Sequence, residues 1–91
     1  MDRQRIDKWL WHARVVRTRS DASSRVEAGH VRVNSQRVTA PSHALRTGDV
    51  VTLALDRTVR ILEVVGFCER RGGPPEATAT YSDLSGLRPK T

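Results

Sequence analysis

The chain has 91 residues, of which sixteen are Lys or Arg and ten are Asp or Glu, so its formal net charge is +6. A chain this short forms one small domain with little room for a buried catalytic cleft, which favours a binding module over an enzyme. Its single cysteine, Cys68, excludes an internal disulfide and argues against a cysteine-based metal site. Neither a signal sequence nor a membrane-length apolar run is evident, so we expect a cytoplasmic protein with no membrane attachment.

The positive charge lies in the first half of the chain. Residues 1–46 contain ten basic and four acidic residues, whereas the remainder contains six of each. Fourteen of the sixteen basic residues are arginine, whose planar guanidinium suits bidentate contacts with phosphate. This distribution indicates one cationic face directed at a polyanion. Arginine-rich codon usage with an ordinary solvated face remains the alternative.

The first predicted element is an amphipathic helix that begins at Arg5, after a polar arm over residues 1–4. Its apolar residues show the i, i+3, i+4, i+7 spacing of a helix. They are Ile6, Trp9, Leu10 and Ala13. Trp11 lies off this stripe, and both packing and stacking on a base remain open for it. We expect His12, also off the stripe, to be a surface or ligand-facing imidazole.

A second helix is predicted over residues 19–28, after a connector over residues 14–17. Thr18 is the expected N-cap, and Gly29 suits the left-handed position after the helix. Ala22 and Val26 should be buried. The helix contains three serines, which are indifferent helix formers, so it depends on docking.

A β-hairpin should follow, with strands at Val31–Val33 and Gln36–Val38 around an Asn34-Ser35 turn. Residues 39–47 are predicted to form a loop that Leu45 anchors in the core.

Two longer strands, over residues 50–55 and 58–65, should pair through a tight turn at residues 56–57. The core side chains expected from them are Val51, Leu53, Leu55, Val59, Ile61 and Val64. Leu62 and Val65 indicate a bulge or a second covered face. Beyond an exposed loop over residues 69–75, we expect one or two helical turns within residues 76–84, docked by Ala77, Tyr81 and Leu84. Residues 85–91 should be frayed.

Enzyme motifs and metal-ligand spacings are absent from the sequence. Asp7 and Asp21 are better explained as a helix cap and surface ion pairs than as an acid–base pair. Arg19 and Ser20 lie where a helix N-terminus favours phosphate. A helix-turn-helix DNA-binding protein remains an alternative, although the second helix is short and a hairpin follows it at once. A protein adaptor that meets an acidic partner also remains open.

Several motifs together resemble the RNA-binding domain named after ribosomal protein S4, over residues 5 to about 55. They are Arg5-x-Asp7-Lys8-x-Leu10, Arg14, Thr18-Arg19-Ser20-x-Ala22, Val26, Gly29-x-Val31-x-Val33-Asn34, Pro41-Ser42 and Gly48-Asp49. Further features are similar to the stand-alone heat shock protein 15 family and extend the resemblance to about residue 84. They are residues 7–11, Arg70-Arg71 followed by proline, Glu76-Ala77 and Tyr81. Two features depart from these relatives: Ser35 replaces the usual glycine, which leaves room for a different turn type, and the sequence lacks the long basic C-terminal extension of some of them.

The resemblance implies an α+β fold in which two short N-terminal helices pack on a small antiparallel sheet, an alpha-L type RNA-binding motif, with a short C-terminal helical segment. It implies an RNA-binding core over residues 5–55, completed by residues 56–84 within a single domain of residues 1–91. The RNA-facing candidates carried over are Arg5, Lys8, Arg14, Arg17, Thr18, Arg19, Ser20, Arg25, Arg32, Asn34 and Arg37. For Asn34, a structural role in its turn is an equal alternative.

The partners that the resemblance implies are structured RNA, with rRNA as the first candidate and tRNA as the second, and the large ribosomal subunit while it carries a nascent chain. The resemblance therefore implies a ribosome-associated, stress-related recycling or rescue factor without a cofactor, and we expect a monomer. A small RNA-binding regulator that acts off the ribosome is the alternative, followed by a DNA-binding regulator.

Overall fold

The computed structural model describes residues 3–55, 57–69 and 72–85. In chain order its elements are β1 (Arg3–Arg5), α1 (Ile6–His12), α2 (Arg19–Glu27), β2 (Val31–Val33), β3 (Gln36–Val38), β4 (Ala44–Arg46), β5 (Val50–Ala54), β6 (Val59–Val64), α3 (Pro74–Thr78) and β7 (Tyr81–Asp83). Five strands form an antiparallel sheet in the order β3-β2-β5-β6-β7, and β1 pairs separately with β4. The predicted α+β fold is confirmed.

The apolar stripe of α1 is buried as predicted. Ile6, Trp9 and Leu10 have no exposed surface and join the core formed with one face of the sheet. The Trp9 Nε1–H donates to the carbonyl oxygen of Gly66 at 3.2 Å, which satisfies the polar atom of this large buried side chain. Trp11 is half-buried and packs against the same core, so packing is the role the structure gives it.

The expectation for His12 was wrong, because its imidazole is 1% exposed. Its Nδ1 lies 2.9 Å from the carbonyl oxygen of Cys68, and a carbonyl only accepts, so Nδ1 carries the proton. Helical spacing alone does not reveal this burial, because the segment that covers His12 lies 56 positions further along the chain.

Helix α2 begins and ends as its sequence indicates. The backbone N–H of Asp21 donates to Thr18 Oγ1 at 3.0 Å, which confirms Thr18 as the N-cap. Ala22 and Val26 are fully buried. Gly29 follows the helix with φ of +81°, a left-handed conformation that costs glycine little. Since α1 and α2 pack on each other, docking stabilises a helix of weak propensity.

The β2–β3 hairpin has the primed turn typical of two-residue loops, despite the absence of glycine. Val33 pairs with Gln36, and the two residues between them both have positive φ, 51° for Asn34 and 72° for Ser35. Positive φ at both central residues is the requirement of a type I′ turn, which matches the twist of the strands. The serine therefore does not change the turn type. It adopts a conformation that is less favourable for a residue with a Cβ.

Residues at both ends of the first half of the chain form a small second sheet that was not predicted. Arg3–Arg5 pairs antiparallel with Ala44–Arg46, in segments predicted to be an arm and a loop. Leu45 is fully buried, as expected. Three-residue strands give too short an alternation to be recognised, and their pairing partners lie about forty positions apart in the chain.

On β6 the buried face is the one that carries Leu62 and Val64, and the prediction that placed Val59 and Ile61 in the core was wrong. Leu62 and Val64 are fully buried, whereas Val59 is 37% exposed and Ile61 is half-buried. Side chains alternate along a strand, so a regular strand that buries Val64 also buries Leu62 and turns Ile61 outward. Leu55, also predicted as core, is only partly buried.

The C-terminal part contributes less helix and more sheet than predicted. Helix α3 spans only Pro74–Thr78, and Ala77 is its buried residue, as expected. Tyr81 begins β7, which pairs with β6.

The Asp83 carboxylate accepts hydrogen bonds from the Ser85 backbone and Arg60, and these hold the pKa of Asp83 below its ordinary value.

The predicted turn residue at position 56, the Arg70-Arg71 pair and nearly all of the predicted frayed end (residues 86–91) lie outside the described residues. Within the part of the chain that the structure describes, no helix is long and apolar enough to cross a membrane.

Candidate nucleic-acid interface

The predicted RNA-facing residues divide into two groups on the fold. One group lies on α1, on α2 and between them, and the other lies on the hairpin of β2 and β3. The helical group consists of Arg5, Lys8, Arg14, Arg17, Thr18, Arg19, Ser20 and Arg25, and the hairpin group of Arg32, Asn34 and Arg37.

The centre of the helical group is a buried carboxylate. The Asp7 side chain is 3% exposed, yet two arginines approach it. The Arg5 Nε–H and Nη2–H donate to the two Asp7 oxygens at 3.1 and 3.0 Å, and Arg19 Nε lies 3.6 Å from Oδ2. The Lys8 backbone N–H, at 2.8 Å, and the Ser23 hydroxyl, at 3.2 Å, complete the set of donors. We call these five residues the Asp7 cluster.

This arrangement corrects the expectation that Asp7 forms an ion pair on the helix surface, because its carboxylate is buried. A buried carboxylate is stable only when its oxygens are hydrogen-bonded or paired, and the cluster meets that need. Ser23 belongs to α2 and Asp7 to α1, so the carboxylate also joins the two helices.

The Asp7 cluster leaves its arginines available to a ligand. The Arg5 and Arg19 side chains remain 51% and 44% exposed. A guanidinium has five N–H donors, and Arg5 uses only two of its three nitrogens on Asp7. The carboxylate therefore orients two guanidinium groups without covering them, which reduces the side-chain entropy that binding would otherwise cost.

Three exposed residues surround the N-terminus of α2. Thr18 caps the helix, and Arg19 and Ser20 are its first two residues. The first backbone N–H groups of a helix have no partner within it, and its dipole favours an anion there. Arg19 thus places a full positive charge beside the partial positive charge of the helix N-terminus, an arrangement suited to a phosphate.

The other helical candidates differ in availability. Arg25 is 23% exposed and forms an ion pair with Asp21 one turn earlier, so much of its guanidinium is already engaged. Arg14, in a left-handed conformation with φ of 59°, donates from Nε to the Gly72 carbonyl oxygen at 3.0 Å. Lys8 is half-buried and Arg17 is exposed. RNA contact by these residues stays a prediction.

On the hairpin, geometry favours the structural alternative for Asn34. Its Oδ1 accepts from the Val50 backbone N–H at 2.9 Å, and its Nδ2 donates to Asp49 Oδ1 at 3.1 Å. Both ends of the amide therefore connect the turn to the start of β5. Arg32 and Arg37 are exposed and lie directly opposite each other. Because Val31, Val33 and Val38 are buried, both arginines extend from the sheet face away from the core.

The role of Asp7 and the burial of Gln4 were not predicted from the sequence. The Gln4 Nε2–H donates to the Cys68 carbonyl oxygen at 2.7 Å, next to the His12 contact. A lone acid within a strongly basic stretch is the one signal that points to Asp7. In the described part of the chain, no three His, Cys, Asp or Glu residues come together as a metal site.

Comparison with known proteins gives one family match and several relatives. The S4 domain model matches residues 4–51. Heat shock protein 15 of Escherichia coli strain K12 is 35% identical over 81 residues, which cover 89% of this chain and 60% of that protein. A heat shock protein 15 homolog of Haemophilus influenzae is 34% identical over 79 residues, covering 87% of this chain and 60% of the relative. The chain thus spans about 60% of the length of these curated relatives.

Two further similarities concern a ribosomal protein and a solved structure. Small ribosomal subunit protein uS4 of Anaeromyxobacter is 38% identical over 73 residues, which cover 77% of this chain and 35% of that protein. The solved structure is described as trimeric heat shock protein 15 of Vibrio cholerae. It superposes with a TM-score of 0.85 at 35% identity, over 93% of this chain and 85% of the other.

Proposed function

The chain belongs to the S4 domain family and, within it, to the heat shock protein 15 group, and we propose that it is a non-enzymatic RNA-binding protein of the cytoplasm. Its target is structured RNA, either rRNA or tRNA, on large ribosomal subunits that still carry a nascent chain. Its role there is in recycling or rescue of the subunit.

The Asp7 cluster is the observation that carries this proposal. It holds two half-exposed arginines, one of which, Arg19, is the first residue of α2. Phosphate contacts position a protein on nucleic acid without reading its sequence, as is usual for recognition of folded RNA by shape. Lys8 and Arg17 extend the same helical surface. The described part of this surface has few aromatic side chains, which favours backbone contacts over base stacking.

Sedimentation with ribosomal subunits tests the ribosomal target. At low salt the protein should co-migrate with large subunits that carry peptidyl-tRNA, more strongly than with empty large subunits or with small subunits. Absence from every large-subunit fraction, together with retained binding to free structured RNA, would instead establish the regulator that acts off the ribosome. A preference for duplex DNA over structured RNA in competition would establish the DNA-binding alternative.

Arg19→Gln tests the surface itself. Removing this guanidinium should weaken binding of structured RNA by about 1–3 kcal/mol, the value of a well-placed charged hydrogen bond. Because Arg19 is 44% exposed, the melting temperature should change little. Arg57→Gln is the matched control: it removes an exposed arginine near the start of β6, far along the chain from both helices. Equal losses of affinity in the two variants would mean that net charge, and not this surface, binds the RNA.

A further inference from the structure

The outer face of the five-stranded sheet carries two arginines that the fold sets against each other. Arg32 on β2 and Arg37 on β3 are register partners, and both side chains are exposed. Like charges directly opposite on neighbouring strands destabilise a sheet. The pair is thus unfavourable in the free protein, and a bound anion would relieve the repulsion.

A shallow depression of about 250 Å³ lies beside this pair, and its lining combines charge with apolar surface. The described residues that line it are Gly29, His30, Arg32, Arg37, Thr52, Ala54 and Val59. None of these lining residues is acidic. Val59 is one of two large apolar side chains in the described chain with substantial exposure, 37%. Two guanidinium groups next to an apolar floor match a nucleotide, which combines a phosphate with an apolar base face.

This surface is separate from the Asp7 cluster. The Arg37 side chain extends toward Gly29, where a Cβ would lie only 3.3 Å from Arg37 Cδ. Gly29 follows the C-terminal end of α2, whereas Arg19 is the first residue of that helix. Nine or ten helical residues span about 14 Å, so the two cationic surfaces lie at opposite ends of α2.

We propose that the outer sheet face binds an unpaired segment of the same RNA whose folded part contacts the Asp7 cluster. This proposal rests on the RNA-binding function proposed above and assigns Arg32 and Arg37 to a different RNA element from Arg5 and Arg19. The segment is unpaired because a duplex turns its base faces inward, whereas a single strand can lay a base on Val59 and Ala54 while the arginines hold its phosphates.

The test compares two RNAs, a blunt stem-loop and the same stem-loop with a single-stranded oligouridine tail at either end. Wild-type protein should bind the tailed RNA about tenfold more tightly than the blunt one. The double variant R32Q/R37Q should bind both equally, and its melting temperature should be no lower than that of the wild type, because the cross-strand repulsion is gone.

The matched control is R3Q/R46Q. It removes another pair of exposed arginines that are also directly opposite, on β1 and β4. This control should keep the preference for the tailed RNA. A tail preference that survives in R32Q/R37Q, or is absent from the wild type while both RNAs bind, overturns the proposal and leaves the proposed function intact. Failure of the wild type to bind either RNA overturns this proposal and the proposed function together. Arg19→Gln should weaken binding of the two RNAs equally, which separates the Asp7 cluster from the outer sheet face.

Discussion

A single acidic residue organises the basic surface of this protein. Asp7 is buried between α1 and α2, and its carboxylate holds Arg5 and Arg19 while leaving about half of each side chain exposed. Electrostatics alone would make an acid at this position a hindrance to RNA binding. The geometry indicates instead that Asp7 favours RNA binding, because an oriented guanidinium loses less entropy when it binds a phosphate.

Asp7→Asn distinguishes the effect of net charge from the effect of arginine orientation, because the two predict opposite changes in RNA affinity. If net charge alone governed affinity, the added positive charge would tighten RNA binding. We expect instead a several-fold weaker affinity and a loss of about 1–3 kcal/mol in the free energy of unfolding, because charged hydrogen bonds to a buried group are lost. RNA titration and chemical denaturation give the two values.

The control for this change is Asp21→Asn, which also removes one negative charge from the helical surface. Asp21 is half-exposed and pairs with Arg25, so its loss should leave RNA affinity equal or slightly higher. Tighter binding by both variants would contradict the positioning role of Asp7.

Ser35 offers a second test at the scale of one residue. Its φ of +72° costs a side-chain-bearing residue about 1–2 kcal/mol, whereas glycine adopts it freely but gains entropy when unfolded. Ser35→Gly should therefore raise the free energy of unfolding by about 0.5–1 kcal/mol. Ser42→Gly, in a turn where the serine has no positive φ, should lower it by a similar amount. Destabilisation by both would show that the Asn34-Ser35 turn carries no strain.

At the scale of elements, docking and not propensity maintains the two helices. Helix α1 has only seven residues and α2 nine, lengths at which isolated helices are marginal in water. Their common support is the core that Leu10, Ala22 and Val26 share with the sheet. The exposed cationic residues of both helices therefore depend for their positions on these buried side chains.

Leu10→Ala measures that dependence. Leu10 has no exposed surface, so the truncation should cost about 2–5 kcal/mol of unfolding free energy, measured by denaturant titration. Leu55→Ala, at a partly buried position, should cost clearly less. At temperatures where the Leu10→Ala variant stays folded, its RNA affinity should remain near that of the wild type. Loss of affinity in the folded variant would contradict the proposal that the RNA-binding side chains are distinct from those that pack the core.

At the scale of the whole molecule, the affinity for structured RNA should come mainly from phosphate contacts. The net charge of +6 is concentrated in residues 1–46, which include both cationic surfaces. If about six phosphates are neutralised, a plot of the logarithm of RNA affinity against the logarithm of salt concentration should have a slope of about −4 to −5. Arg19→Gln should reduce the magnitude of this slope by about 1. Titrations of structured RNA at several salt concentrations measure the slope. A flat salt dependence would exclude the phosphate-based interface.

The oligomeric state is a second property of the whole molecule that can be tested. The sequence predicts a monomer, whereas the solved heat shock protein 15 of Vibrio cholerae is described as trimeric. In the described chain the exposed large apolar residues are Val59 and Val65, and single exposed apolar residues are ordinary on monomers. Light scattering of the free and RNA-bound protein distinguishes the two states.

Features controlled by local chemistry are predictable from the amino-acid sequence of this protein. Thr18, Gly29 and the stripe from Ile6 to Ala13 predicted where helices begin, end and bury their side chains, because capping and periodicity act over a few residues. The charge distribution and the family motifs likewise indicated a polyanion-binding S4 domain before any fold was known.

Features that depend on contacts between distant segments are visible only in the folded protein. Tertiary structure buried His12 against Cys68, set Leu62 instead of Ile61 toward the core and joined Arg3–Arg5 to Ala44–Arg46. Above all, it brought two arginines to the Asp7 carboxylate and placed two others beyond the far end of α2. The positions of charged residues along the chain do not predict the face of the folded protein on which each side chain lies. The face depends on register and packing between segments that are far apart in sequence.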